Sequence, residues 1–243
     1  MFFVLSLGRM VAENPAYIVP FELKAQAYPA HVELSWVNRT GFQYDIYRSV
    51  NQSKKFEYCG TTSSAFYLDF FGKTVEKEQI FIYRILPKGL SVKSEDAGKF
   101  EVKLSVYPAT DEALLDMTQR YTTRYFYDFA EPISGMARER SNDVNGEIVT
   151  TGGTGFGIMA LIAGAERNYL SRQQAQKTIT KIVAFLEKVE RFHGAWAHWY
   201  DAETGKAFSF SKYDDGGDLV ETAFLVQGLL TAREYFCTGN PQE

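Results

Sequence analysis

The sequence predicts two regions of different fold class: an N-terminal antiparallel β-sandwich over residues 20–105, followed by a helical region over 106–243 holding about four α-helices. Three observations carry this. Apolar residues recur with period two as far as about Ser105, they recur at three- and four-residue steps after Pro108, and the composition shifts where one pattern replaces the other. A length of 243 residues suits two ordinary domains.

Several function classes fall away on composition. A net charge of −4 leaves no basic footprint with which to neutralise phosphates, so nucleic acid is not an expected partner. Cys59 and Cys237 lie in different regions, which excludes a disulfide framework, and no Cys/His spacing suits a metal. No metal or cofactor is therefore expected. Aromatic residues make up 15% of the chain, an excess that serves both packed cores and sugar-stacking surfaces.

Residues 1–19 are read as a leader or a disordered segment. Met1–Leu7 is apolar but lacks a basic residue before it and is too short to span a bilayer; the stump of a signal peptide and simple disorder both remain open. No other stretch approaches a membrane span. In the sandwich region, His31–Trp36, Tyr44–Arg48 and Ile80–Ile85 alternate apolar and other residues, as half-buried strands do. Turn-rich pieces at 38–41, 49–54 and 72–73 separate them. The layout, with a Trp on an early strand, then Tyr-x-Ile-Tyr-Arg, then a Tyr-Arg strand, resembles a fibronectin type III module, and no chemistry is assigned to it.

The helical elements follow in order. Asp111–Ala130 places Leu114, Leu115, Thr118, Tyr121, Tyr125 and Phe129 on one face. A second helix is expected from about Gly155 to Asn168, where Gly157, Ala160, Ala163, Gly164 and Ala165 permit close approach of other backbones. Ser171-x-x-Gln174 reads as a capping box ahead of a helix whose stripe is Ala175, Ile179, Ile182, Val183, Leu186 and Val189. The fourth, Asp218–Phe236, is apolar nearly all round and is expected to be buried. Only Tyr169-Leu170 joins the second helix to the third, so those two should pack antiparallel. The long connections Glu131–Thr154 and Phe192–Gly217 then fall at one end of the bundle, where long ordered loops tend to be kept for binding or catalysis.

Those connections hold the chemistry. The second runs through Trp196, His198, Trp199 and Tyr213 into Asp214, Asp215, Asp218 and Glu221, pairing flat rings with carboxylates as a sugar site requires. Each feature also has a plain structural explanation. Trp196 and Trp199 can be core side chains, and His193 and His198 read first as structural imidazoles because no second metal ligand or nucleophile stands at useful spacing. Asp218-x-x-Glu221 is itself a capping-box pattern. Against that, four carboxylates within eight residues repel one another, and a cap does not need the other two. A carboxylate at a helix start favours its ionised form and suits a general base or hydroxyl acceptor, so a general acid is expected elsewhere. Arg138 and Arg140, with Asp128 just before them, can hold sugar hydroxyls or stabilise the first loop. The glycine-rich run Thr150–Gly157 matches neither phosphate-binding pattern.

Taken together, Phe126–Ala130, Ser134–Ser141, Thr151–Gly157, Arg191–Trp196 and Gly217–Phe224 resemble, in order and spacing, the bacterial glycoamylase-like domain family, over roughly residues 108–236. The resemblance implies an incomplete α/α-toroid and an inverting two-carboxylate hydrolysis of a glucan, with β-1,2 linkage expected. It also implies that Asp214, Asp218 and Glu221 occupy the places of acidic residues important for activity. Trp196, Trp199, His198, Tyr213, Arg138 and Asp128 become candidate substrate contacts. Glu131 departs from the histidine that many members carry before the proline. About four helices of a twelve-helix toroid are present, so the chain is expected to be truncated and inactive alone, with apolar surface on its last helix open to self-association. A periplasmic or cell-surface location goes with this architecture. The rival expectation is a glucan-binding or assembly module without catalysis.

Overall fold

The structure is a computed structural model that describes residues 21–37, 42–89, 97–142 and 146–237. The apolar Met1–Leu7 run, the rest of the proposed leader through residue 19 and the turn at 38–41 lie outside the described residues. The chain divides into two compact units between Leu114 and Leu115.

The first unit is a sandwich of two antiparallel sheets. Strands β1 (Phe21–Ala27), β2 (His31–Val37) and β5 (Phe66–Phe70) form one sheet in the order β1-β2-β5. The other runs β4-β3-β6-β7, from β3 (Tyr44–Val50), β4 (Glu57–Thr62), β6 (Gln79–Pro87) and β7 (Glu101–Val106). This order is that of a fibronectin type III sandwich. Alternation decides which side chains go inside: Val32, Leu34 and Trp36 on β2, and Phe81, Tyr83 and Ile85 on β6, are all buried. Trp36 meets Tyr44 edge-on at 5.4 Å in that core. Polar groups also join the two sheets, and an enclosed carboxylate is one of them. Asp69 on β5 accepts hydrogen bonds from Arg48 Nη1 (2.7 Å) and the Tyr83 hydroxyl (2.6 Å). Burial, and then the bond to Asp69, pushes the Tyr83 hydroxyl well above its ordinary range, so it remains a donor.

The second unit contains all but the first turn of α1 (Asp111–Tyr127), with β8 (Ile148–Thr150), α2 (Thr151–Glu166), α3 (Arg172–Leu186), the short strands β9 (Arg191–Phe192), β10 (Ala195–Trp196), β11 (Trp199–Asp201) and β12 (Ala207–Phe208), and α4 (Leu219–Cys237). α3 starts as its sequence dictates. The Ser171 hydroxyl accepts from the Gln174 N–H, and the Gln174 side chain accepts from the Ser171 N–H.

The packing of α1, α2 and α4 differs from the sequence expectation. On α1 the buried residue is Thr123, whereas Leu114, Leu115 and Tyr121 are exposed. The residues toward which other backbone approaches are Thr123 and Phe126, because Gly164 and Gly157 of α2 leave room for them; a Cβ on those glycines would lie 2.5 and 2.7 Å from the Thr123 and Phe126 side chains. α2 begins four residues before Gly155, at Thr151, so the glycine-rich run supplies its N-cap and about its first two turns. The closest helix contact uses Gly155 and Gly228. A Cβ at Gly155 would stand 2.3 Å from the Phe224 carbonyl, and one at Gly228 would stand 2.5 Å from the Gly155 carbonyl, so α2 and α4 touch main chain to main chain. α4 is not buried all round: Leu225, Gly228 and Ala232 are inside, but Leu219 is 77% exposed and Val220, Phe224 and Leu230 are exposed as well. Its uniform apolarity describes a helix that carries more apolar surface than α2 and α3 cover.

Candidate active site

The two long connections meet. β8, from the first, pairs antiparallel with β11, from the second, and β12 completes a three-stranded sheet. Thr151 reinforces the junction, its N–H donating to the His198 carbonyl and its hydroxyl to the Ala197 carbonyl. The β9–β10 hairpin turns at His193-Gly194, both with positive φ (52° and 95°), as a two-residue turn between right-twisted strands requires. His193 is thus an exposed turn residue. Past this hairpin, the Trp196 carbonyl accepts the Asp218 N–H, which fixes where α4 starts.

At this junction His198 stands between two carboxylates. Its Nδ1 lies 2.9 Å from Asp218 Oδ2, and its Nε2 lies 3.6 Å from Glu221 Oε2. Asp218 caps α4 by accepting the N–H groups of Val220 (2.9 Å) and Glu221 (3.0 Å) through Oδ1. Partial burial works to raise its pKa, but the Glu221 N–H, the His198 imidazole and the Val220 N–H outweigh it, and the carboxyl sits below its ordinary range. Glu221 does not complete a capping box. Its Oε2 accepts the Gly152 N–H at 2.8 Å, in the first turn of α2, and a Cβ at Gly152 would stand 2.4 Å from that oxygen. The glycine-rich start of α2 therefore seats the protein's own carboxylate. Trp199 stacks on His198 with ring centroids 3.6 Å apart, and its indole N–H donates to Glu139 Oε2 at 2.8 Å.

The remaining candidates scatter. Trp196 packs against the helical core, its indole N–H directed at the Leu186 carbonyl (3.4 Å) and Arg191 over its ring. Tyr213 is 80% exposed, next to Lys212. Asp214 and Asp215 make no side-chain hydrogen bond or ion pair to another described residue. Arg138 donates to the main-chain carbonyls of Phe129 and Gly146, and so its guanidinium supports the loop. Asp128 pairs with Arg124 at the end of α1 (2.8 Å). Glu131 is buried and accepts from the Ile133 and Ser134 N–H groups and the Ser134 hydroxyl, which makes it the organiser of its own turn. Sequence reasoning missed Glu139; its partner Trp199 is sixty residues away, and no local spacing announces the pair. Among the described residues no His, Cys, Asp and Glu group has the arrangement of a metal site.

Comparison with known proteins gives this junction its context. An exo β-1,2-glucooligosaccharide sophorohydrolase (non-reducing end) from Parabacteroides distasonis is 38% identical over 237 residues, spanning 92% of this chain and 31% of its own length. A crystal structure of a β-1,2-glucanase from the same organism superposes with a TM-score of 0.67 at 39% identity over 92% of this chain. A crystal structure of a putative glucoamylase from Bacteroides fragilis matches 55% of this chain at 51% identity and a TM-score of 0.52. An endo-β-1,2-glucanase from Chitinophaga pinensis, solved with sophorotriose and glucose, matches 55% of this chain at 49% identity and a TM-score of 0.51. The chain spans about a third of the length of these relatives, 31–34% in each case. No family model matches it. The superposition on that β-1,2-glucanase from Parabacteroides distasonis takes in 92% of this chain and 32% of that structure. Among the described residues, no helix is long and apolar enough to cross a membrane.

Proposed function

We propose that this chain forms the N-terminal part of a glucan hydrolase acting on β-1,2-linked glucose. The observation that carries the reading is the Asp218–His198–Glu221 cluster at the junction of the two long connections, with an indole stacked beside it. In an inverting hydrolysis, one carboxylate takes a proton from water as the water oxygen attacks the anomeric carbon. The glycosidic C–O bond breaks, and a carboxylic acid protonates the departing oxygen. Asp218 suits the base, because its N-cap bonds and His198 hold it ionised and aimed. Glu221, anchored on Gly152, holds the far side of the imidazole. Asp214, on the same connection, is assigned to substrate. Both carboxylates of the cluster act as acceptors, so the acid is a different group; because the chain spans about a third of its relatives' length, residues 1–243 alone are inactive in this reading.

The test is calorimetry of the 243-residue chain with linear β-1,2-glucan, beside an assay for released sophoro-oligosaccharides. Expected are binding that Asp218→Asn weakens about tenfold or more and no release of product. Sustained hydrolysis by this chain overturns the inactivity, and binding indifferent to Asp218→Asn overturns the site.

A further inference from the structure

A cavity lined by residues that touch Trp199 belongs to none of the roles given so far. It is a cleft of about 350 Å³ lined by Arg138, Glu139, Arg140, Ile148, Phe208 and Phe210 among others, within the ~300–1,000 Å³ range of small-molecule pockets. Trp199 is the partition. Its ring forms a T-shaped pair with Phe210, centroids 4.8 Å apart, and its N–H holds Glu139 on the cleft side, while it stacks on His198 on the cluster side.

The lining is selective in its chemistry. Phe210 is 51% exposed and stands edge-on to Phe208 at 5.0 Å, giving an aromatic surface that can take the C–H face of a pyranose. Arg140 lies over the Phe210 ring at 5.7 Å and within 3.8 Å of Glu139, so a forked donor and a carboxylate acceptor converge beside the platform. Two arginines suggest an anion at first sight. Two observations oppose it: the Arg138 guanidinium is committed to main-chain carbonyls, and Glu139 places a carboxylate inside the cleft. A neutral polyhydroxyl ligand satisfies donor, acceptor and ring together.

We infer that this cleft is a glucosyl subsite, one partition away from the reacting bond, in which Phe210 supplies the platform and Arg140 and Glu139 bind hydroxyls. The inference rests on the reading of the chain as part of a glucan hydrolase. Its signature is length discrimination, because only a glucan long enough to pass Trp199 reaches the cleft.

The experiment compares the affinities of the 243-residue chain for sophorose and sophoropentaose, with laminaripentaose and cellopentaose as linkage controls. The expected result is a preference for sophoropentaose over sophorose of about tenfold, which Phe210→Ala removes and Arg140→Ala reduces. An equal affinity for both lengths, or a preference that survives Phe210→Ala and Arg140→Ala, overturns the subsite while leaving the β-1,2-glucan reading in place. Length-dependent binding of laminaripentaose or cellopentaose alone, lost in Phe210→Ala, overturns the β-1,2 assignment and keeps the subsite. Binding to none of these sugars overturns both. Phe210 is half exposed and outside the helical core, so the variant retains its fold; an unchanged near-ultraviolet spectrum checks this.

Discussion

The sandwich and the helical unit each set a carboxylate among aromatic rings and a nitrogen-bearing side chain, with opposite consequences. In the sandwich, Asp69 has a side chain only 10% exposed, and Arg48 and Tyr83 both donate to its Oδ2. In the helical unit, Asp218 is 31% exposed, and His198 beside it is 32% exposed. The residue types are comparable, but enclosure turns one set into a tie between sheets, whereas access leaves the other able to meet a ligand. Composition does not separate the two cases; solvent access does.

That contrast can be broken by mutation, and the largest effect belongs to the enclosed set. Asp69→Ala leaves the Arg48 charge and the Tyr83 hydroxyl in the sandwich without their acceptor, and is expected to cost about 3–5 kcal/mol. Hydrogen exchange read by mass spectrometry should show loss of protection in β3 and β6, with α2 and α4 unchanged; equal protection in wild type and variant would remove the tie. Next comes Gly155→Ala, which forces a methyl against the Phe224 carbonyl and should cost about 1–3 kcal/mol, seen as lost protection in α2 and α4. Removal of the helix cap by Asp218→Ala is expected to cost about 0.5–2 kcal/mol in the helical unit.

The smallest effect is the pH dependence of that cap. The Asp218 carboxyl is held below its unfolded value of about 3.9, so it contributes stability above that pH and loses it as pH falls through the lower folded value. Acid titration of α4 helicity should therefore show a flatter limb in Asp218→Asn than in wild type. A steeper limb in the variant would contradict the assigned direction.

Much of the architecture was legible in the sequence where one local rule acts alone. The alternation in His31–Trp36, Tyr44–Arg48 and Ile80–Ile85 corresponds to β2, β3 and β6, and Ser171 with Gln174 marks the start of α3 through two bonds made within four residues. Legibility failed where a distant group overrides propensity. Thr151-Gly-Gly-Thr has the composition of a loop, yet it is helix, because Gly152 must admit Glu221 and Gly155 must admit the α4 main chain. The α1 periodicity predicts a face of Leu114, Leu115, Thr118, Tyr121, Tyr125 and Phe129; Tyr125 and Phe129 are partly buried, but Leu114, Leu115 and Tyr121 are exposed, and the glycines of α2 meet Thr123 and Phe126. Within the candidate site, Asp218, Glu221, His198 and Trp199 stood out as an unusual local concentration. Arg138 and Asp128 stood out equally and are occupied by their own loop and helix, since sequence shows the donor and conceals its acceptor. Glu139 is the converse case.

The contact between α2 and α4 bears on how the junction can move. Gly155 and Gly228 bring backbone against backbone, and backbone has no rotamers with which to slide or re-pack. Asp218 begins α4, and Glu221, one turn further on, is bonded to Gly152 of α2, so both carboxylates ride on a single stiff frame. In the proposed glucan reading, adjustment to an arriving chain of sugars then falls to the Trp199 indole and the Phe208 ring, carried on strands of three and two residues, and to Phe210 just beyond, set against a fixed pair of acids.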